Sequence, residues 1–170
     1  MELVGFDTDT YALIKKVGAA ALSSNTLGQI TCGLMVNPPM PGQPSYAQYQ
    51  QEKTTIFESL KRRAEKVTSC LNKVPGYVCQ RIEGAMYAFP RFNIPDKAVD
   101  FAKQRGTQPD EMYCIELLEA TGIVCVPGSG FGQQEGTYHM RLTILPPEAD
   151  IDSVVARIAT FHDAFCKRWI

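Results

Sequence analysis

The chain has 170 residues, of which 45% are apolar and 21% are charged, and its formal net charge is −1. This length and composition predict one ordinary folded domain, or one domain with part of another, and they exclude a disordered polypeptide. Because both signs of charge are scattered along the sequence, we expect no binding to nucleic acid or to an anionic membrane surface. A small molecule or another protein is the expected partner.

The N-terminus and the cysteines favour an intracellular protein in a cytosol-like compartment. The first ten residues lack the charged-then-apolar pattern of a signal peptide, and no stretch approaches the roughly eighteen apolar residues of a membrane span. The six cysteines show no Cys-x-x-Cys spacing, and only two histidines are present to share a metal. We therefore expect reduced, mostly buried thiols and no metal site.

The first 44 residues predict a strand, two helices and a boundary. A short strand is expected at Met1 to Phe6 and a helix at Asp7 to Leu22, followed by a second helix that begins near Asn25. The next segment, NPPMPGQP, holds four prolines in eight residues, which neither a helix nor a central strand tolerates. It marks a boundary between structural units.

The longest predicted helix runs from Ser45 to Lys73. Apolar residues recur along it at steps of three and four, namely Phe57, Leu60, Ala64, Val67 and Leu71. At 1.5 Å per residue this helix is about 43 Å long, more than the width of a small domain. The pattern therefore suggests a helix that connects two domains, although a solvated helix along one domain fits it nearly as well.

Beyond Pro75 the sequence predicts a small α+β layer, in which a few short strands are covered by helices. Two strands joined at Glu83-Gly84 come first. The later elements are helices Asp96–Arg105 and Pro109–Ala120, strands Gly122–Pro127 and Thr137–Leu145, and a final helix capped by Asp150. On that final helix, His162 is expected to be a solvated surface residue.

A glycine-rich loop precedes the last strand, in the segment VPGSGFGQQEGTYHMRLTIL. Its glycines raise the question of a phosphate site. A dinucleotide fingerprint needs Gly-x-Gly-x-x-Gly before a helix, but here the third glycine, Gly132, comes one position early and a strand follows. The other phosphate-loop motif needs a Gly-Lys pair, and the chain has none. The loop therefore needs a different explanation.

The strand after this loop carries Arg141 in the middle of an alternating apolar pattern. Tyr138, Met140, Leu142 and Ile144 share one face, so Arg141 lies on the other face. One interpretation is a guanidinium that reaches water or forms a surface ion pair. The other is a guanidinium that binds a carboxylate through two parallel N–H bonds beside the glycine loop.

A hydrolase is the competing enzymatic interpretation, because Ser129 lies between two glycines. A nucleophile elbow needs Gly-x-Ser-x-Gly, and here Pro127 and Phe131 occupy the outer positions. His139 on the alternating strand is more typical of a structural polar residue than of a catalytic base. We therefore reject the hydrolase.

Three segments resemble the C-terminal part of the class I pyridoxal-phosphate aminotransferases: VPGSGFGQQEGTYHMRLTILPP, GAMYAFPRF and NPPMPGQPSYAQYQQEK. The resemblance extends over essentially the whole chain. It implies an α+β (or α/β) architecture with three parts. Residues 1–44 would be the end of the large cofactor-binding domain, residues 45–73 the interdomain helix, and residues 74–170 the small C-terminal domain.

The resemblance also implies a function for particular residues. In this family the strand arginine, here Arg141, binds the α-carboxylate of the amino-acid substrate. Met86 and Tyr87 match positions that border the substrate, and the loop around Gly130 would close near it when the small domain moves. The implied reaction moves an amino group from L-alanine to 2-oxoglutarate, giving pyruvate and L-glutamate, with pyridoxal 5'-phosphate as cofactor.

The chain departs from the family pattern in one respect. The family's cofactor lysine lies in a Ser-x-Ser-Lys-Gly segment, which does not occur here, and the motif whose arginine binds the cofactor phosphate is also missing. This chain therefore resembles a fragment of a homodimeric enzyme. We expect the fragment alone to bind no cofactor and to have no activity. The alternative is a complete, non-catalytic binding or interaction module.

Overall fold

A computed structural model describes residues 3–20 and 24–170, and the chain divides into two compact units, Met1–Glu52 and Lys53–Ile170. Three helices come first, followed by three short strands, two helices, two more strands and a final helix, in agreement with the expected small α+β fold. The helices are α1 (Thr8–Ala19), α2 (Thr26–Val36), α3 (Tyr46–Leu71), α4 (Asp96–Gln104), α5 (Pro109–Thr121) and α6 (Ile151–Arg168). The strands are β1 (Tyr77–Val78), β2 (Tyr87–Ala88), β3 (Arg91–Phe92), β4 (Val126–Pro127) and β5 (Met140–Thr143).

In the first unit, side-chain caps begin α1 and α2. A carboxylate oxygen of Asp7 accepts the backbone N–H groups of Asp9 and Thr10, at 3.1 and 2.9 Å. The side-chain oxygen of Asn25 accepts the N–H of Gly28 at 3.0 Å. Each cap satisfies donors that the first turn of a helix leaves unpaired, so both helices begin where their capping residues lie.

Part of the prediction for this unit was wrong, and part lies outside the described residues. Residues 3–6 form no strand, so the strand expected at Met1 to Phe6 is absent from its described portion. The first helix ends at Ala19 within the described residues. The expected end at Leu22 falls in residues 21–23, outside the described part of the chain.

Helix α3 confirms the longest predicted helix to within two residues at either end. Its second half carries Ala64, Val67 and Leu71 into the core, whereas Phe57 is 61% exposed. The helical periodicity therefore identified the buried stripe, but burial begins two turns later than the apolar pattern does. Helices α4 and α5 also match their predicted bounds to within one residue.

The strands form two small antiparallel sheets, β1–β3 and β2–β5–β4. The expected junction of two strands at Glu83-Gly84 is not observed, because β1 ends at Val78 and β2 begins only at Tyr87. Strand β1 pairs with β3, and β2 pairs with β5. The side chain of Asn72 explains why β1 is so short. It accepts the N–H of Cys79 at 2.8 Å and donates to the Cys79 carbonyl at 2.9 Å, so that backbone is satisfied by a side chain rather than by a neighbouring strand.

Aromatic residues from several elements meet in the core of the second unit. The buried Tyr113 of α5 packs with its ring centre 4.3 Å from Phe92 and 4.9 Å from Phe165. Its hydroxyl lies 2.7 Å from the hydroxyl of Tyr77, a contact that satisfies two polar atoms inside an apolar region. Burial raises the pKa of both tyrosines, so both stay neutral.

His162 also belongs to this core, so the expectation of a solvated residue was wrong. Its side chain is 5% exposed, and its Nδ1 lies 3.0 Å from the Tyr113 hydroxyl. Helix α6 buries Ile151, Val155, Ile158, His162 and Phe165, and His162 therefore sits within a regular apolar stripe. Burial lowers the pKa of His162, although the neighbouring Asp163 acts in the opposite direction.

The six cysteines are free thiols with mixed exposure. Cys79 and Cys114 are buried, Cys32 is exposed, and the other three are half-buried, so fewer thiols are buried than expected. Among residues 3–20 and 24–170, no group of three His, Cys, Asp or Glu side chains is placed to hold a metal ion. In the same ranges, no helix is both long and apolar enough to span a bilayer.

Candidate carboxylate-binding site

Strand β5 places Arg141 at the centre of a three-stranded sheet, opposite Val126 of β4. Met140 and Leu142, on either side of it in the sequence, are buried. The Arg141 side chain is on the other face and is half-buried. The predicted alternation of this strand is confirmed, and it separates the guanidinium from the apolar core.

Two aromatic rings contact the guanidinium of Arg141. Its Cζ atom lies 4.6 Å from the ring centre of Tyr87 on β2 and 4.9 Å from that of Phe131 in the glycine loop. Cation–π contacts of this kind restrict the side chain while leaving its N–H groups free to donate. None of the ion pairs found within residues 3–20 and 24–170 involves Arg141.

The glycine loop forms one turn of 3-10 helix at Gly128–Phe131, ended by Gly132 with a φ of 70°. Gly128 is required sterically, because a Cβ atom there would lie 2.3 Å from Oε1 of Gln133 and 2.7 Å from Cβ of His139. Gly130 differs, since a Cβ atom there would meet nothing within 4 Å. Gly130, which was expected to border the substrate, thus faces open space.

A buried carboxylate fixes this loop. Asp110, at the start of α5, is fully buried, and its Oδ2 accepts the N–H of Ser129 at 2.6 Å and Nε2 of Gln133 at 3.0 Å. Oε1 of Gln133 in turn accepts the N–H of His139 at 3.0 Å and lies 3.0 Å from its Nδ1. Because an amide oxygen only accepts, Nδ1 of His139 carries the proton.

These contacts support the rejection of a phosphate site. The N–H of Ser129 points at Asp110, and the N–H of Gly128 donates to the carbonyl of His139 at 2.7 Å. The loop therefore does bind an anionic group, but that group is the protein's own carboxylate. A phosphate at this position would lose these donors and be repelled by Asp110.

An exposed aromatic patch surrounds the guanidinium. The ring of Phe89 stacks on His139 with centres 5.0 Å apart, and it meets Phe131 edge to face at 5.7 Å. Tyr87, Phe89 and Phe131 are each between 41% and 47% exposed. Burial and the nearby Arg91 lower the pKa of His139, although Asp110 acts in the opposite direction, so the positive charge near these rings comes from arginines rather than from His139.

The structure brings together only some of the residues expected in the site. Tyr87 contacts Arg141, whereas Met86 adjoins β5 through its backbone, its carbonyl accepting the N–H of Ile144 at 2.9 Å. Sequence reasoning missed Asp110, because an acidic residue in the first turn of a helix is ordinary. It also missed Phe131, although a large aromatic residue between two glycines was a visible signal.

The lysines do not fit a covalent anchor for pyridoxal phosphate. Every lysine except Lys66 is exposed, and all of them lie in the described ranges. Lys66 pairs with Asp152 at 2.7 Å, and that hydrogen bond raises its pKa. A Schiff-base lysine needs the opposite shift, produced by burial or by neighbouring positive charge.

The fold is that of the class I aminotransferases. An alanine aminotransferase from Pyrococcus furiosus matches 89% of this chain with 33% of its own, at 25% identity and a TM-score of 0.66. An aspartate aminotransferase from Rhizobium meliloti matches 76% of this chain with 29% of its own, at 27% identity and a TM-score of 0.52. No protein-family model matches the chain.

Curated relatives make the assignment more specific. The chain is 49% identical over 169 residues to a protein named probable mitochondrial alanine aminotransferase from Dictyostelium discoideum, and 47% identical over 165 residues to mitochondrial alanine aminotransferase 2 of Arabidopsis thaliana. These matches cover 99% and 97% of this chain but only 32% and 31% of the relatives, so the chain spans about a third of their length. Over nearly its whole length the chain is thus similar to alanine aminotransferases, and the resemblance inferred from the sequence is confirmed.

Proposed function

We propose that this chain is the part of an alanine aminotransferase that binds the α-carboxylate of the substrate, and that Arg141 forms the binding contact. The observation that carries this proposal is a guanidinium without an ion-pair partner among the described residues, held beside the rings of Tyr87 and Phe131. A carboxylate matches the planar fork of an arginine and accepts two parallel N–H bonds from it.

The site geometry suits a substrate that must be oriented as well as bound. Two bonds to one carboxylate fix its plane, so the Cα–H bond can be directed towards the reacting group. Gly130 leaves space beside the loop, because a Cβ atom at this position would have no described atom within 4 Å other than those of its chain neighbours. L-Alanine and 2-oxoglutarate share the α-carboxylate, so Arg141 would serve both halves of the reaction.

Pyridoxal 5'-phosphate is the cofactor that this assignment implies for the full enzyme. It supplies an electron sink for the pair released when the Cα–H bond breaks. Since the lysines of this chain are exposed or ion-paired, we assign the cofactor's lysine and phosphate ligands to the portion of the relatives that this chain does not span. The chain alone would then be inactive.

The names of the relatives do not all give the same amino-acid substrate, whereas an α-carboxylate is common to their amino-acid substrates. The chain is 47% identical over 168 residues to a protein named glutamate–glyoxylate aminotransferase 2 from Arabidopsis thaliana, close to the values for the alanine enzymes. Both kinds of name give an α-amino acid as a substrate. Alanine as donor follows from the larger number of alanine aminotransferases among the relatives cited, two of which are named mitochondrial.

The expected domain division also remains part of this proposal. Residues 1–44 would complete the large domain, residues 45–73 would link it to the small domain, and residues 74–170 would form the small domain. The homodimer implied by the family is proposed for the full enzyme. A cytoplasmic or mitochondrial location is proposed with it.

The test of Arg141 is its replacement by lysine in the enzyme that contains this chain. Arg141→Lys keeps the charge but loses the fork, and bonds of this kind contribute about 1.5 to 3 kcal/mol, or about 10- to 150-fold in KM for both substrates. The cofactor absorbance should not change. The exposed Arg81→Lys is the matched control, with an unchanged KM. Loss of cofactor in Arg141→Lys, or an unchanged KM, would contradict the proposed role.

A second experiment tests the inactivity of the chain alone. The chain is mixed with pyridoxal phosphate, reduced with borohydride and analysed by peptide mass spectrometry, and alanine turnover is measured in parallel. We expect scattered modification of surface lysines and no turnover. A single labelled lysine together with turnover would overturn the assignment.

A further inference from the structure

We propose that Asp110 is a positioning residue for Arg141, acting through the glycine loop and the ring of Phe131. Its effect on substrate binding rests on the function proposed above. Its effect on the orientation of the guanidinium does not, and the two effects are measured separately below.

The first step of the argument is the placement of the Asp110 carboxylate. It is fully buried, yet Oδ1 has no hydrogen-bond partner among the described atoms, and Oδ2 accepts both of the bonds that reach the group. A buried carboxylate is costly unless it is well bonded, although the N-terminus of α5 offsets part of that cost. Burial of Asp110 is therefore costly, and both hydrogen bonds that its side chain accepts come from the glycine loop.

The second step is the position of those two bonds in the sequence. They reach Ser129 and Gln133, which lie two residues before and two residues after Phe131. One oxygen atom thus fixes the chain on both sides of that ring. Gln133 also accepts the N–H of His139, the residue directly before β5, so the loop is fixed both to α5 and to the start of the strand that carries Arg141.

The third step is that only one of the two rings depends on Asp110. Tyr87 lies on β2, which pairs with β5 through backbone hydrogen bonds. Phe131 lies in a loop whose own 3-10 turn is one turn long. Loss of Asp110 should therefore release Phe131 from the guanidinium and leave Tyr87 in place, which predicts a partial effect rather than a complete one.

The experiment begins with the chain itself. In Asp110→Ala, the Ser129 amide should exchange faster with solvent, and the Nε–H signal of Arg141 should lose the ring-current shift produced by Phe131 in NMR spectra. In Asp110→Asn, one carbonyl oxygen can accept both donors, so most of the wild-type signal should return. The exposed Glu111→Ala, next in sequence, is the control and should change neither signal. An unchanged Arg141 signal in a folded Asp110→Ala protein would overturn the proposal.

Two further variants keep the test decisive if Asp110→Ala does not fold. Phe131→Leu should reproduce the change at Arg141 while the Ser129 amide stays protected. Gln133→Met removes one of the two bonds to Asp110 at nearly constant shape, and it should shift the Arg141 signal in the same direction. If Gln133→Met leaves Arg141 unchanged, the loop does not transmit the effect and the proposal is wrong.

The enzyme that contains this chain supplies the second readout. Loss of one exposed cation–π contact should raise KM for both substrates about 2- to 5-fold in Asp110→Ala, with kcat and the cofactor absorbance nearly unchanged. A purely structural role would lower the amount of active enzyme, and hence kcat, without changing KM, which would overturn the proposal. If Arg141→Lys leaves KM unchanged, the proposed function fails, and the NMR arm still decides the positioning role.

Discussion

The two units of this chain differ in how their apolar residues are used. In the described part of the first unit no residue is buried, and Leu13, Val17, Leu27 and Leu34 are each more than 60% exposed. The second unit has a continuous core, in which residues such as Leu71, Phe92 and Tyr113 are at most 1% exposed. The first unit has helices with good caps, and the second has tertiary packing.

This difference shows that local signals and burial are separate contributions to the fold. Caps and periodicity are sufficient to define α1 and α2, but helices of this length gain most of their stability from a packed apolar face. Exposed apolar side chains in such number are typical of surfaces that further protein covers. We therefore expect substitutions in the second unit to change global stability, and those in the first unit to act locally.

The largest expected effect comes from removing a core side chain. Phe92→Ala should lower the free energy of unfolding by about 3 to 5 kcal/mol, because it leaves a cavity between Tyr77 and Tyr113. Leu34→Ala in α2 should change it by less than about 0.5 kcal/mol. Urea denaturation followed by circular dichroism measures both. Similar losses for the two variants would contradict the contrast between the units.

The next largest change in stability is expected when Gly128 is replaced, and Gly33 provides the comparison. Gly128→Ala should cost about 1 to 3 kcal/mol, because its Cβ atom would lie within 2.8 Å of the His139 carbonyl oxygen. Gly33→Ala in α2 meets nothing within 4 Å and should stabilise that helix by about 0.5 to 1 kcal/mol. Thermal unfolding of both variants checks the prediction, with Gly130→Ala as the control within the loop. Equal effects at Gly128 and Gly130 would show that the loop does not need its close packing.

His162 predicts a smaller effect that depends on pH. Burial holds its pKa below the ordinary value of 6.5, so the folded protein resists protonation that the unfolded chain accepts. Stability from this residue is complete above pH 6.5 and is lost as the pH falls towards the lower folded value. His162→Gln should flatten that part of the stability profile, whereas the half-buried His139→Gln should flatten it less. A wild-type profile that is level from pH 7 to 5 would disprove this.

The smallest effect is expected at Asp7. Hydrogen bonds from Thr10 hold the pKa of this carboxyl below its ordinary value of 3.8, so the cap stabilises α1 above that pH and is lost as the pH falls through the folded value. Asp7→Ala should reduce the helicity of residues 8–19 in NMR spectra, and the core signals of Tyr113 should not change. Asp9→Ala, which retains the cap, serves as the comparison. A global loss of stability in Asp7→Ala would mean that the first unit contributes more than its burial indicates.

Sequence periodicity predicted the helices well, because apolar spacing reports directly on which face is buried. In the final helix the apolar spacing predicts the buried face correctly, but His162 on that face was expected to be solvated. His162 lies four residues after Ile158 and three before Phe165, so its spacing places it on the buried stripe although its side chain is polar. Its partner, the Tyr113 hydroxyl, lies far away in sequence, and that is why a local pattern did not suggest burial.

The strands and the support of the site were harder to predict. Two-residue strands carry no periodicity, so the β1–β3 pairing depends on contacts that are distant in sequence. Arg141 was found because a charge interrupts an alternating strand. Asp110 was not, because its function depends on a loop that begins about twenty residues later and folds back onto it.

If Arg141 binds a carboxylate as proposed, the two rings beside it also affect the entropy of binding. An arginine that is free in water loses rotamer freedom when a ligand holds it, at a cost of about 0.5 to 1.5 kcal/mol. Contacts with Tyr87 and Phe131 restrict the side chain before any carboxylate arrives. Part of that loss would therefore occur when the protein folds, and the proposed site would gain affinity because its arginine is already restricted.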